Sequence, residues 1–108
     1  MPNLRELYCQ NNQLTPIPSY HNLKRLHCEN NKLTSLPPHH NLRKLFCKNN
    51  QLTSIPILPN LEVLYCHNNQ LTSLPSLPNL QYLCCENSPL PGSTLDYWKN
   101  IWSRESLQ

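Results

Sequence analysis

The chain has 108 residues, of which 38% are hydrophobic and 14% charged, with a formal net charge of +3. That length holds one domain at most, and low charge beside 21 Leu excludes a disordered chain. Eleven Pro, 15 Asn, no Ala and a single Gly exclude a helical bundle and a hairpin-rich β-sandwich, which needs several residues at positive φ.

The start, Met1-Pro2-Asn3-Leu4-Arg5-Glu6, has no apolar core behind a basic flank, so no secretory signal is expected. No stretch approaches the roughly 18 apolar residues of a membrane span. From Leu4 onward the chain repeats every 19 residues. Leu4, Leu23, Leu42, Leu61 and Leu80 form one column, and Leu7, Leu26, Leu45, Leu64 and Leu83 a second. Cys9, Cys28, Cys47, Cys66 and Cys85 form a third, and Asn12, Asn31, Asn50 and Asn69 a fourth, with Ser88 in the fifth slot. Leu14, Leu33, Leu52, Leu71 and Leu90 follow, and each unit closes on Ile17-Pro18, Leu36-Pro37, Ile55-Pro56 or Leu74-Pro75. The unit is L-x-x-L-x-C-x-N-N-x-L-T-x-[IL]-P. It divides the chain into repeats at 2–20, 21–39, 40–58, 59–77 and 78–91, with 92–108 left as a cap and tail.

Within L-x-x-L-x-C, Leu7 and Cys9 alternate with Glu6, Tyr8 and Gln10, the period-two pattern of a short strand with one buried face. The rest of the unit is too short for a helix and return. It is also Pro-rich, so it should be extended. Stacked coils then give five short parallel strands. The crossovers should be right-handed.

These motifs resemble the leucine-rich repeat family, whose core is L-x-x-L-x-L-x-x-N/C-x-L. The L-T-x-L-P tail and the L-P-N-L lead-in (Leu58 to Leu61, Leu77 to Leu80) are similar to short repeats of bacterial effectors and giant-virus proteins. The Cys column and the N-N pair are closer to the viral set; the effectors usually carry a helical hairpin before the repeats and often a ligase domain after them. The resemblance implies an α/β leucine-rich-repeat solenoid of the right-handed β-α superhelix class. It also implies a protein that binds host factors, in the host cytoplasm if viral.

The inner Asn column should satisfy turn backbone groups. The companion column, Asn11, Asn30, Asn49, Asn68 and Asn87, should face outward with a turn-forming role. The five Cys of the column are expected to be free buried thiols, which suits a reducing, cytoplasmic compartment. Cys84 stands in an outward column and should be exposed, with no obvious base in that column. No zinc-type C-x-x-C pair occurs. His21 and His40 share a slot in adjacent coils with His39 beside them, and surface histidines are expected there. No cofactor or metal is expected.

The outward strand face carries an aromatic column, Tyr8, His27, Phe46 and Tyr65, beside six of the nine Lys and Arg: Arg5, Lys24, Arg25, Arg43, Lys44 and Lys48. Exposed aromatics beside Arg suit protein recognition. The expected partner-binding residues are Tyr8, Arg25, His27, Lys44, Phe46, Tyr65 and Tyr82, and the expected partner is an acidic protein or peptide. Basic and aromatic residues also suit single-stranded nucleic acid. Glu6, Glu29, Glu62 and Glu86 dilute the patch, so neither nucleic acid nor membrane is expected. No Ser-His-Asp order, Gly-rich phosphate loop or paired-carboxylate site occurs, so no enzyme activity is expected.

At the C-terminal end, Ser93 or Thr94 should cap a helix over roughly 94–104, with Leu95, Trp98, Ile101 and Trp102 at helical spacing. The N-terminal end shows no such cap. Leu4, Leu7, Leu14 and Ile17 should therefore be open on one side and join two copies in a homodimer. The alternative is that further coils precede them.

Overall fold

The computed structural model describes residues 4–15 and 17–105. The expected repeat and tail boundaries at 2–3 and 106–108 lie outside the described residues. Five three-residue strands, β1 (Glu6–Tyr8), β2 (Arg25–His27), β3 (Lys44–Phe46), β4 (Val63–Tyr65) and β5 (Tyr82–Cys84), precede one helix, α1 (Leu95–Glu105). The strands form a single parallel sheet in chain order. Each pairs with the next at an offset of one repeat: Leu7 lies beside Leu26, Leu26 beside Leu45, Leu45 beside Leu64 and Leu64 beside Leu83. One repeat is thus one coil, and the sequence columns are rows of spatial neighbours.

The strands are short, but ladder bonds continue past their ends. The Cys9 amide donates to the His27 carbonyl at 2.8 Å and the Lys24 amide to the Arg5 carbonyl at 2.8 Å, and the pattern recurs in later coils. The return limbs contain no helix or strand among the described residues. Each ends in a turn closed by an amide-to-carbonyl bond: Leu23 to Tyr20, Leu42 to His39, Leu61 to Leu58 and Leu80 to Leu77. Most of the inward Leu and Ile columns, with Cys28, Cys47, Cys66 and Cys85, are buried in one core, and Leu4, Leu7, Cys9, Leu14, Leu83 and Leu90 pack half-buried against it. All six cysteines are free.

The turn after each strand needs a left-handed residue, and Asn supplies it. Asn11, Asn30, Asn49, Asn68 and Asn87 have φ between 58° and 63°. Asn tolerates this region better than other non-Gly residues, which is how the fold manages with one Gly. The five side chains also bond to one another. Asn30, Asn49, Asn68 and Asn87 each donate from Nδ2 to Oδ1 of the Asn one coil earlier, at 2.6–2.7 Å. A glycine would supply the φ but not the ladder.

Helix α1 caps the last coil. The Thr94 hydroxyl accepts the Tyr97 amide at 3.1 Å, an N-cap bond, and Asp96 lies in the first turn. Trp98 and Trp102 are buried; Trp98 Nε1 donates to the Gly92 carbonyl and Trp102 Nε1 to that of Leu74, at 3.0 and 3.2 Å. A Cβ at Gly92 would run into the Tyr97 ring, so the one glycine marks a close approach of the turn to the helix.

Four sequence expectations change. Cys9, expected to be a buried thiol, is half-buried, because it lies in the first coil, at the edge of the sheet. His39 is not a surface histidine: it is 2% exposed and follows the core column of Tyr20, Leu58 and Leu77, because the turn bond directs that residue inward. Cys84 is half-buried, not exposed, because neighbouring side chains on the strand face cover it. Ile17 is buried and does not belong to an open end, whereas Leu4, Leu7 and Leu14 are half-buried.

Candidate functional site

The outward positions of the five strands form one continuous surface, since parallel register places equivalent residues side by side. Along its middle the rings stack. Tyr8 and His27 have centroids 4.5 Å apart, His27 and Phe46 4.2 Å, and Phe46 and Tyr65 5.0 Å, all close to parallel. Column order would end this stack at Cys84. Instead Tyr82, from the neighbouring column, tilts its ring to 5.1 Å from Tyr65. Tyr8 and Tyr82 are exposed at the two ends, and the three rings between them are half-buried.

The stack ties neighbouring coils together and leaves a ring face open at each end. Each aromatic contact stabilises the sheet by about 0.5–1.5 kcal/mol, and the outer faces of the end rings remain open. Cations flank the stack on one side. Arg25 and Lys44 lie within β2 and β3, and with Arg5, Glu6, Lys24 and Arg43 they line a shallow depression of about 190 Å³. Arg43 reaches the Glu62 carboxylate at 3.4 Å. Every residue expected to bind a partner therefore falls on one face: Tyr8, Arg25, His27, Lys44, Phe46, Tyr65 and Tyr82. A larger depression of about 460 Å³ lies between α1 and the return limbs, lined by Ile55, Leu74, Tyr97, Trp98 and Ile101 among others. Glu105 is its one titratable group besides Tyr97, which offers little for chemistry.

On the other side of the stack the next outward column reads Gln10, Glu29, Lys48, His67 and Glu86. His27 Nδ1 lies 3.8 Å from the Glu29 carboxylate. Cys84 Sγ donates to Glu86 Oε2 at 2.9 Å. Burial, then the hydrogen bond and negative charge of Glu86, push the Cys84 thiol up to about 11. A thiol held protonated is a weak nucleophile. His67 comes within reach of both residues. Reading each column separately missed this group, because its members stand in two columns of adjacent coils. The core thiols are raised too, chiefly by burial. His21 and His40 are exposed, and among the described residues no thiol or carboxylate joins them as a ligand group.

Among the described residues no helix is long and apolar enough to cross a membrane. A family model described as "Leucine Rich repeats (2 copies)" matches residues 2–39, 21–60, 40–79 and 59–100. No curated protein matches the chain.

Proposed function

The chain belongs to the leucine-rich repeat family, whose members generally mediate protein–protein interaction, and from that premise we propose that its strand face binds an acidic segment of a partner protein. The observation that carries this reading is the unbroken ring stack from Tyr8 to Tyr82 with Arg25 and Lys44 along its flank. Pre-stacked rings lose little conformational freedom on binding, and aromatic and Arg anchors dominate protein interfaces. The cations would favour a carboxylate-bearing partner. Repeat domains of this kind act as binding modules, and no catalytic step is assigned to the chain. On the likeness of the Cys column and N-N pair to giant-virus repeats, the partner would be a host protein met in the host cytoplasm.

The test compares affinity capture by wild-type protein, by Arg25→Glu/Lys44→Glu, and by Lys32→Glu/Lys99→Glu as an off-face control. A protein retained by the wild type and the control but lost from the face variant supports the reading. Equal retention by the face variant would move the site elsewhere.

A second reading rests on the first coil. Leu4, Leu7 and Leu14 are half-buried where their counterparts Leu23, Leu26 and Leu33 are fully buried. Two copies joining there would cover this apolar surface and the β1 edge. Light scattering at micromolar concentration should give twice the chain mass, and Leu14→Lys should return it to one.

A further inference from the structure

We propose that His67, Cys84 and Glu86 form a binding site for one divalent transition-metal ion of the zinc type. One ligand atom from each of the three lies within 4.8 Å of the others. Imidazole, thiolate and carboxylate together suit zinc, a borderline-soft ion. A tetrahedral zinc ion holds its ligand atoms about 3.5 Å apart. Side-chain torsions at this half-open surface can supply that contraction.

The repeat makes the group stand out. The same three positions occur in every adjacent pair of coils: one residue two places after a strand, then the last strand residue and the position two further on. They hold Gln10, His27 and Glu29 in the first pair, Glu29, Phe46 and Lys48 in the second, and Lys48, Tyr65 and His67 in the third. Only the last pair places three ligating side chains there. It does so where Cys84 breaks the aromatic column. Independently, His67 Nδ1 is buried and has no hydrogen-bond partner. A buried imidazole nitrogen left unpaired costs free energy, and a metal ion would satisfy it.

Binding replaces the Cys84–Glu86 hydrogen bond. The sulfur bonds to the ion as thiolate, the carboxylate turns from accepting S–H to ligating, and the thiol proton leaves to solvent. Three protein ligands leave the fourth position to water or to an external ligand. Lys48 lines the same depression as His67 and Cys84, and its positive charge opposes a dication. The group shares no residue with the seven assigned to partner binding, so the two proposals stand or fall separately.

The probes are Co²⁺, whose thiolate complexes absorb by charge transfer, and Zn²⁺ as its competitor, added to the full chain in a non-chelating reductant. One Co²⁺ per chain, with a charge-transfer band abolished by Zn²⁺ and absent from Cys84→Ser, is expected. Loss of even an outer partner of a metal site costs about 10–100-fold in affinity, so His67→Ala and Glu86→Gln should each weaken binding at least about tenfold. Lys48→Gln should tighten it. Circular dichroism melts of the variants control for folding. No band from the wild type, or a band that persists in Cys84→Ser, overturns the proposal.

Discussion

Asn50 Oδ1 accepts the backbone amide of Leu33, 17 positions earlier, at 3.0 Å. Its Nδ2 donates to the carbonyls of Cys28, Cys47 and Lys48 at 3.0–3.3 Å. One buried amide thus holds two coils together, and Asn31 and Asn69 do the same for theirs. Among the described residues Asn12 bonds within its own turn, to the Cys9 and Gln10 carbonyls, and it is exposed.

The two positions should therefore respond differently to truncation. Asn50→Ala leaves the Leu33 amide unpaired in the core and takes one of two donors from the Cys28, Cys47 and Lys48 carbonyls, and should cost about 2–3 kcal/mol. Asn12→Ala should cost less than about 1 kcal/mol. Urea midpoints at constant m-value measure both, and equal losses would contradict the coil-bridging role.

Phe46 stacks on both sides, between His27 and Tyr65. Phe46→Ala removes two ring contacts and should destabilise by about 1–2 kcal/mol, so its effect on partner capture must be read against its melting curve. The exposed ring of Tyr82 touches the stack on one side only. Tyr82→Ala removes one ring contact and should cost about 0.5–1 kcal/mol, less than Phe46→Ala, which makes it the cleaner probe of recognition. Thermal melts that rank the two the other way would show that the stack does not support the sheet.

His39 gives the fold an acid-side weakness. Burial pushes its imidazole below the ordinary histidine value, against the opposing pull of the Pro37 and Pro18 carbonyls. The unfolded chain therefore binds this proton at a higher pH than the folded chain does. The contribution is complete above the ordinary value near ~6.5 and is lost as pH falls below it toward the folded-state value. His39→Leu, matching Leu58 and Leu77 of its column, should flatten that fall. An equally steep acid loss in His39→Leu would assign it to another group.

The cap is predicted to be indispensable. Trp102→Ala removes a buried ring from the last coil and should cost about 3–5 kcal/mol. Trp102→Phe keeps most of the packing but loses the bond to the Leu74 carbonyl, a loss of about 1 kcal/mol from the bond itself. Denaturant titrations followed by far-ultraviolet circular dichroism separate the two. A fully helical, undiminished Trp102→Ala would show that α1 is dispensable.

The period of 19 residues was enough to predict the five strands, their order and the inward Leu and Cys columns, and the spacing of Leu95, Trp98, Ile101 and Trp102 beyond it was enough to predict the capping helix. In a coil without insertions the period is the register: Leu26 can lie only between Leu7 and Leu45. The seven residues on the strand face were legible for the same reason. A third Asn row follows the same period: Asn41, Asn60 and Asn79 donate to the His21, His40 and Pro59 carbonyls of the preceding coil. Contacts between columns were not legible. The tilt of Tyr82 onto Tyr65, the meeting of His67 with Cys84, and the inward turn of His39 depend on backbone twist and side-chain torsions. A repeat spacing carries no record of these, so only the folded chain decides them.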